Sequence, residues 1–451
     1  MTRASKTTLT WNEEHLLGMH RDDGANPALY TNNLLTVDGP FNHQLFSQIV
    51  TCIVRWNPSL QTNYQLAGGH WTKSITPVTA KSNFVTFFDD ATDADVDTFF
   101  EQTFQLDQDR LIAFGIFCLG ENQYKIAFRG HHLIMDAPSA AILNSMLENC
   151  YRFSYQAHLL LRSMAVHAYI ASYYVFSSYQ LVLNQVQLER EALEDASHPT
   201  KLYMQRILND ADNMWLPTAT KPQHPAVPVN LFYSHSTYFE YSLLGQIQSF
   251  LNTLSANDIK PAHFWVAVIY ATLLIHSARD RIKTPARLPV AGRTAPHLGY
   301  YSKGALISVD VDISQTPAGL CRQAAQALRA SKDFQACPIT GDIAGGKLPR
   351  VNINYIPLST TVTIPECKVA PCPRRIPNPA PNWRSDNYAV DADFTIHPPT
   401  CSIHLESSVD MHGDITGGEV LKTAVNVASL FTEKPTANLG VIRAEIQQRL
   451  G

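Results

Sequence analysis

Gly130-His131-His132-Leu133-Ile134-Met135-Asp136-Ala137-Pro138-Ser139 is the stretch whose reading decides the fold. Before it, Leu111 to Cys118 and Tyr124 to Phe128 are rich in Ile, Phe and Tyr, and Gly120, Glu121 and Asn122 separate them, which predicts an antiparallel hairpin. After Asp136 the period changes. Pro138 suits a first helical turn, and Ile142, Met146 and Cys150 with Leu143, Leu147 and Tyr151 form an apolar stripe. A strand therefore runs into the histidine pair and a helix leaves it. A histidine at a strand end can take a proton from an incoming amine or hydroxyl because its pKa lies near working pH. The aspartate four residues on can hold the loop's shape by pairing with an arginine. The competing reading is two buried histidines satisfied by backbone groups.

Working outward, Phe46, Ile49, Val50 and Ile53 predict an amphipathic helix over Phe41 to Ile53. A second helix is expected over Pro261 to Asp280, strands over Arg287 to Ala291, Leu306 to Val311 and Val351 to Ile356, and a helix over Gly418 to Phe431. The six prolines between Pro365 and Pro381 predict an exposed loop or a strap between lobes, without regular structure. Ser163 to Leu188 has no Asp, Glu, Lys or Arg but many Ser, Tyr and Gln, and reads as a half-buried segment between lobes. The charge-rich tract that follows, from Gln185 to Pro199, places the lobe boundary near residue 178, giving lobes 1–178 and 179–451.

The 451 residues, 45% hydrophobic and 16% charged, are ample for two lobes with buried cores. A net charge of -4 without a basic run argues against nucleic acid. The amino terminus shows no signal-peptide stretch, and eight scattered cysteines suit reduced thiols in a cytoplasmic protein.

Several motifs compete. His276-Ser277-Ala278-Arg279-Asp280 repeats the HxxxD spacing at a helix end, where it reads as an ordinary surface pair. Gly341 to Lys347 has the glycine and lysine spacing of a phosphate loop, but Leu348 stands where Ser or Thr is needed and Pro349 opposes the helix. Cys367, Cys372, His397, Cys401 and His404 could make a zinc site only across a long proline-rich gap, so no metal is expected. No GxSxG elbow is present.

The chain resembles the condensation domains of nonribosomal peptide synthesis, in the chloramphenicol acetyltransferase-like superfamily. The family's HHxxxDG stands here as His131 to Ala137, and Arg55 to Thr62 is similar to its RHxxLRT. Leu288 to Arg293 resembles the strand ending in Gly-Arg, Leu298 to Gly304 its IGxFVNT, and Ile353-Asn354-Tyr355 its FNY. The DFGWG of the related coenzyme A-dependent plant and fungal acyltransferases is absent. Departures are Ala137 for the motif's glycine, Gln61 for an arginine, and Ser331 to Phe334 for HQDxPFE.

The resemblance implies an α/β (α+β) fold of two acetyltransferase-like lobes in a V, with a crossover strand, a floor loop and a central tunnel. His132 would be the general base or the group that positions the acceptor, with His131 beside it. Asp136 would be structural, pairing with Arg293 or alternatively Arg55. Asn354, Ala137, Tyr355 and Ser302 would line the substrate. The implied activity is a free-standing acyltransferase of specialised metabolism that joins an acyl or aminoacyl thioester to an amine or alcohol. Its donor would come on a carrier protein's phosphopantetheine or on coenzyme A, with no cofactor bound by this chain and no membrane partner, and the resemblance favours a monomer. The alternatives are a repurposed fold that cyclises, dehydrates or isomerises an intermediate, and a non-catalytic docking partner of a synthetase.

Overall fold

In the computed structural model the described residues are 9–22, 24, 29–79, 82–156, 191, 194–210, 232–254, 259–277, 279–291, 298–335, 349–357, 362–372, 392–408 and 416–450. The chain forms two compact units, the first comprising Met1–Gln187, Ala291–Ser302 and Leu358–Pro377, and the second Leu188–Val290, Lys303–Pro357 and Asn378–Gly451. The expected single cut at residue 178 thus becomes a division in which two later segments return to the first unit.

Unit 1 begins with α1 (Trp11–Asp22), β1 (Tyr30–Asp38) and α2 (His43–Trp56). In α2, Leu45, Phe46, Ile49, Val50, Ile53 and Val54 form one buried stripe, and Asn42 caps the first turn by accepting from Leu45 N. The hairpin β2 (Thr62–Ala67) and β3 (His70–Ile75) turns through Gly68 and Gly69, both at positive φ. Then follow β4 (Val85–Phe88), α3 (Asp93–Glu101), β5 (Ile112–Gly120), β6 (Gln123–His131) and α4 (Ala137–Gln156). The expected hairpin is β5–β6, antiparallel, with Asn122 in the turn at φ 58°.

Because side chains alternate across a strand, this sheet buries both faces. Leu35, Phe114, Ile116, Ile126 and Phe128 pack with α2 and α4. Leu34, Phe117 and Ala127 pack with Val96 and Phe99 of α3.

Unit 2 contains α5 (Pro199–Asn209), β7 (Phe232–Tyr238), α6 (Tyr241–Thr253), α7 (Pro261–His276), β8 (Arg281–Ala291), β9 (Ser302–Asp312), α8 (Pro317–Ser331) and β10 (Val351–Tyr355). The next strand, β11 (Lys368–Pro371), joins the sheet of unit 1, whose order is β11-β1-β6-β5-β4. Unit 2 then resumes with β12 (Ala392–His397), β13 (Ser402–Ser408), α9 (Gly417–Glu433) and α10 (Leu439–Leu450), in a sheet of order β7-β13-β12-β10-β8-β9. Helix α7 is buried on every side from Phe264 to Ile275 and forms the centre of this unit's core.

Three expectations are corrected. The proline-rich tract does contain a strand: Lys368 to Pro371 pair antiparallel with β1, and an edge position tolerates Pro371, which has no N–H to donate. The second helix ends at His276, not Asp280, so the second HxxxD is not a pair on one helix face. His276 Nε2 is 3.0 Å from Thr423 Oγ1, and burial holds its pKa down at about 4, while Asp280 pairs with Arg443 at 3.3 Å. Ser163 to Leu188 and Gly341 to Lys347 lie outside the described residues.

Candidate active site

Strand β6 ends at His131, which pairs with Tyr30 of β1, and the four residues His132 to Met135 lead to Asp136 before α4. Gly130 packs closely here: a Cβ would lie 3.0 Å from the Phe128 ring and 3.3 Å from Met135 Sδ, so a larger residue would push those side chains aside. The two histidines have opposite environments. His131 is 0% exposed; its Nδ1 accepts from Leu133 N at 3.0 Å, so Nε2 carries the proton and donates to His20 Nδ1 at 3.2 Å. Burial, with His20, His132 and Arg129 nearby, keeps it well below the usual histidine range, hence neutral.

His132 is part-exposed, and its Nδ1 lies 2.9 Å from the Met135 carbonyl oxygen and 3.4 Å from Thr31 Oγ1. A carbonyl only accepts, so Nδ1 bears the hydrogen and the lone pair is on Nε2, which has no hydrogen-bond partner among the described residues. Burial lowers the pKa of the ring. The result is a neutral imidazole whose basic nitrogen is unoccupied among the described residues.

Asp136, 1% exposed, is the N-cap of α4. Its Oδ1 accepts from Ser139 N at 3.0 Å, while Oδ2 accepts from Tyr301 N at 3.0 Å and lies 3.4 Å from Ser302 Oγ. Ser139 completes the grip: its hydroxyl donates to Gly299 O at 2.6 Å and accepts from Gly299 N at 3.0 Å. Gly299 sits at φ 149°, and a Cβ there would meet the Tyr301 ring at 2.6 Å. The first turn of α4 thus holds residues 299–302, and places the Tyr300 ring edge-on to His132 with centroids 5.9 Å apart.

Of the expected site residues, His131, His132, Asp136, Ala137 and Ser302 are therefore brought together in unit 1. The alternative arginine partner of Asp136 is corrected: Arg55 is exposed at the end of α2 and is not among these bonded groups. Arg293 lies outside the described residues. Asn354 and Tyr355 are on β10 of unit 2, Asn354 in register with Thr395 and Tyr355 against the apolar core. The cysteine and histidine set divides between the units, with Cys367 and Cys372 in the first and His397, Cys401 and His404 in the second. Among the described residues no three His, Cys, Asp or Glu side chains converge as metal ligands.

Sequence reasoning missed a second group beside the loop. Glu13 is buried and accepts from Lys73 Nζ at 2.8 and 2.9 Å and from Tyr64 Oη at 2.8 Å. Tyr64 Oη also lies 3.2 Å from the Leu133 carbonyl, and burial with the Glu13 charge raises its pKa well above the usual phenol range. These side chains, with Ser59, Thr62 and Tyr300, line a cavity of about 80 Å³. One signal was legible: Thr10-x-x-Glu13 is a capping box, and Thr10 N donates to Glu13 Oε2 at 2.7 Å.

Residues 19–189 match the family model of the condensation domain. Over 96% of this chain and 98% of the other, the fold is similar to that of the first condensation domain of the CDA synthetase, at TM-score 0.71 and 14% identity. The X-domain from teicoplanin biosynthesis is similar at TM-score 0.66 and 14% identity, covering 97% of this chain and 98% of that one. A variant starter condensation domain of rhizomide synthetase, in complex with C8-CoA and Leu-SNAC, is similar at TM-score 0.67 and 12% identity over 96% of both chains. Sequence comparison with curated proteins gives no significant match. Among the described residues no helix is long and apolar enough to cross a membrane.

Proposed function

Taking the condensation-domain fold as premise, we propose that this chain is an acyltransferase of specialised metabolism that joins an acyl or aminoacyl thioester to an amine or alcohol. The observation that carries the reading is the bond from His132 Nδ1–H to the Met135 carbonyl, 2.9 Å long, which leaves Nε2 as the base. The acceptor nitrogen or oxygen attacks the thioester carbonyl carbon while Nε2 takes its proton. The tetrahedral intermediate then collapses, the C–S bond breaks, and the imidazolium returns the proton to the departing thiolate. An amide or ester and a free thiol result, so atoms and charge balance.

The other residues act through this one. His131, with both nitrogens engaged, fixes the strand end from which His132 projects. Asp136 and Ser139 hold residues 299–302, and with them the Tyr300 ring, against the histidine. In this proposal Arg293 adds a pairing to Asp136, Ala137 presents its backbone amide near the reacting carbonyl, and Ser302 lines the substrate. The donor arrives as a phosphopantetheine or coenzyme A thioester and is substrate, not a resident cofactor. The C8-CoA held by one similar domain supports that choice.

The test is purified protein incubated with acyl-coenzyme A and acyl-pantetheine thioesters and a panel of amines and alcohols, with products read by mass spectrometry. Product from wild type and none from folded His132→Ala supports the reading; equal product from both overturns it. The second reading, a docking partner of a synthetase, is favoured by the similar X-domain that was solved in complex with OxyB. It predicts no product from any thioester and binding to a synthetase partner that is indifferent to His132→Ala. Cyclisation, dehydration or isomerisation at the same histidine would show instead as turnover of a single substrate without a thiol released.

A further inference from the structure

Helix α1 meets the histidine loop and its neighbours at several points, and all the residues concerned belong to unit 1. His20 accepts from His131 Nε2, Asn12 Nδ2 donates to Ser302 O at 3.0 Å, and Glu13 stands behind Tyr64. The loop itself is two overlapping turns, with Ile134 N donating to His131 O at 3.0 Å and Met135 N to His132 O at 3.3 Å. The next carbonyl, that of Leu133, accepts instead from Tyr64 Oη at 3.2 Å. The Leu133 carbonyl and the Ile134 N–H belong to one planar peptide, so bonds at both of its ends fix its orientation. That plane sets the course of the chain into Met135, whose carbonyl accepts from His132 Nδ1–H at 2.9 Å. Packing leaves a gap on this side, because the cavity of about 80 Å³ borders Leu133, Tyr64 and Tyr300. The loop is held here by the bond.

A phenol has one hydrogen, and both groups at Tyr64 Oη are acceptors, so Glu13 Oε1 at 2.8 Å and the Leu133 carbonyl share it. Burial and the Glu13 charge raise the phenol's pKa, so the hydrogen stays on Tyr64. Lys73 sets how it is divided: Nζ bonds to both Glu13 oxygens, at 2.8 and 2.9 Å, and its charge weakens the carboxylate's pull on the phenol. Thr10 N donates to Oε2 at 2.7 Å, so the carboxylate is engaged on both oxygens and cannot turn away. We infer that Tyr64 is a positioning residue for His132, its hydroxyl holding the Leu133 carbonyl so that the Met135 carbonyl stays in line with His132 Nδ1–H, with Glu13 and Lys73 dividing its hydrogen. The inference rests on His132 as the base of the proposed acyl transfer, but its first readout needs no turnover.

The experiment is long-range proton–nitrogen correlation NMR on the full chain carrying isotope-labelled histidine, at mildly alkaline pH, with the His132 signals assigned by their loss in His132→Ala. Wild type should show the Nδ1–H form of that ring alone. In Tyr64→Phe, which keeps the buried ring and removes only the hydroxyl, the Nε2–H form should appear. Lys73→Met should move the tautomer the same way, and Lys73→Arg should restore the wild-type signal. With a thioester and acceptor that wild type turns over, Tyr64→Phe should lower kcat about tenfold and leave KM within about twofold. A wild-type tautomer in folded Tyr64→Phe overturns the positioning role whatever the rate does, and so does a raised KM at unchanged kcat. A shifted tautomer in a protein that turns over no thioester keeps the positioning role and removes the acyl transfer. Should Tyr64→Phe fail to fold, the Lys73→Met and Lys73→Arg pair decides by the same signal.

Discussion

Two aspartates with solvent-shielded carboxylate oxygens are treated in opposite ways. Asp136 of unit 1 gives Oδ1 to the first turn of its own helix and Oδ2 to the amide of Tyr301, a residue 165 positions away. Asp393 of unit 2 keeps an oxygen that is hidden from solvent and has no hydrogen-bond partner among the described residues. The first is a clamp, since backbone N–H groups at fixed positions stabilise the charge and tie two segments together. The second is bonded by side chains of the strands, Asn352 and Thr395, and has one oxygen left over. Burial of a carboxylate therefore does not report its use; the count of donors does.

The strongest way to test the clamped side is to leave the clamp intact and remove what it positions. His132→Ala should lower turnover by about 10² to 10⁴-fold, with an unchanged melting curve. A fall in stability parallel to the fall in rate would make the histidine a packing residue.

Next in size is the clamp itself. Asp136→Ala strands the Ser139 and Tyr301 amides and removes the cap of α4, and should cost about 2 to 4 kcal/mol by urea denaturation. Asp136→Asn keeps the cap oxygen but turns an NH₂ toward one of the amides, at about 1 to 3 kcal/mol. The same Asp→Asn change at position 393 should cost less than about 1 kcal/mol, because no donor loses its acceptor at Oδ1. Equal costs at the two positions would erase the contrast.

Acid should weaken both units. His131 and His132 in unit 1 and His276 and His397 in unit 2 have pKa values depressed by burial, the latter two to about 4 from the usual 6.5. The unfolded chain then binds more protons than the folded one, so the neutral rings contribute stability above about 6.5 that is lost as pH falls through the folded values. Melting temperatures measured from pH 7 to 4 should decline on the acid side, and His276→Gln should flatten part of that slope. The rate should follow an acid limb whose midpoint lies below 6.5, where His132 takes up its proton.

Ser139→Ala removes one bond from each polar group of Gly299 and should cost about 1 to 3 kcal/mol. Its informative readout is the turnover number. A modest drop, with the acid limb unmoved, would fit a looser Tyr300 beside an unaltered base.

Much of unit 1 was legible because its signals are local. The hairpin β5–β6, the histidine pair at its end and the helix beyond all follow from spacing within a few tens of residues, and the Thr10–Glu13 capping box was there to be read. Where the reading failed, the partner was remote or was a helix end. Prolines hid β11, because its pairing with β1 depends on an edge some 330 residues earlier in the chain. The second HxxxD passed for a surface pair because nothing in its spacing shows that α7 stops at His276.

By itself, then, the sequence determined the periodic elements, the strand-loop-helix that carries His132, and which residues are apolar enough to be buried. Only the tertiary structure decided which groups hold Asp136, which nitrogen of His132 carries the proton, and that Asn352 and Asp393 share a register with oxygens left over. The physical reason is common to all three. Backbone amides and carbonyls are the deciding partners, every residue but proline has both, and no side-chain identity marks where they will be spent. Periodicity can be read along a chain, but register and hydrogen-bond supply exist only once distant strands and turns have met.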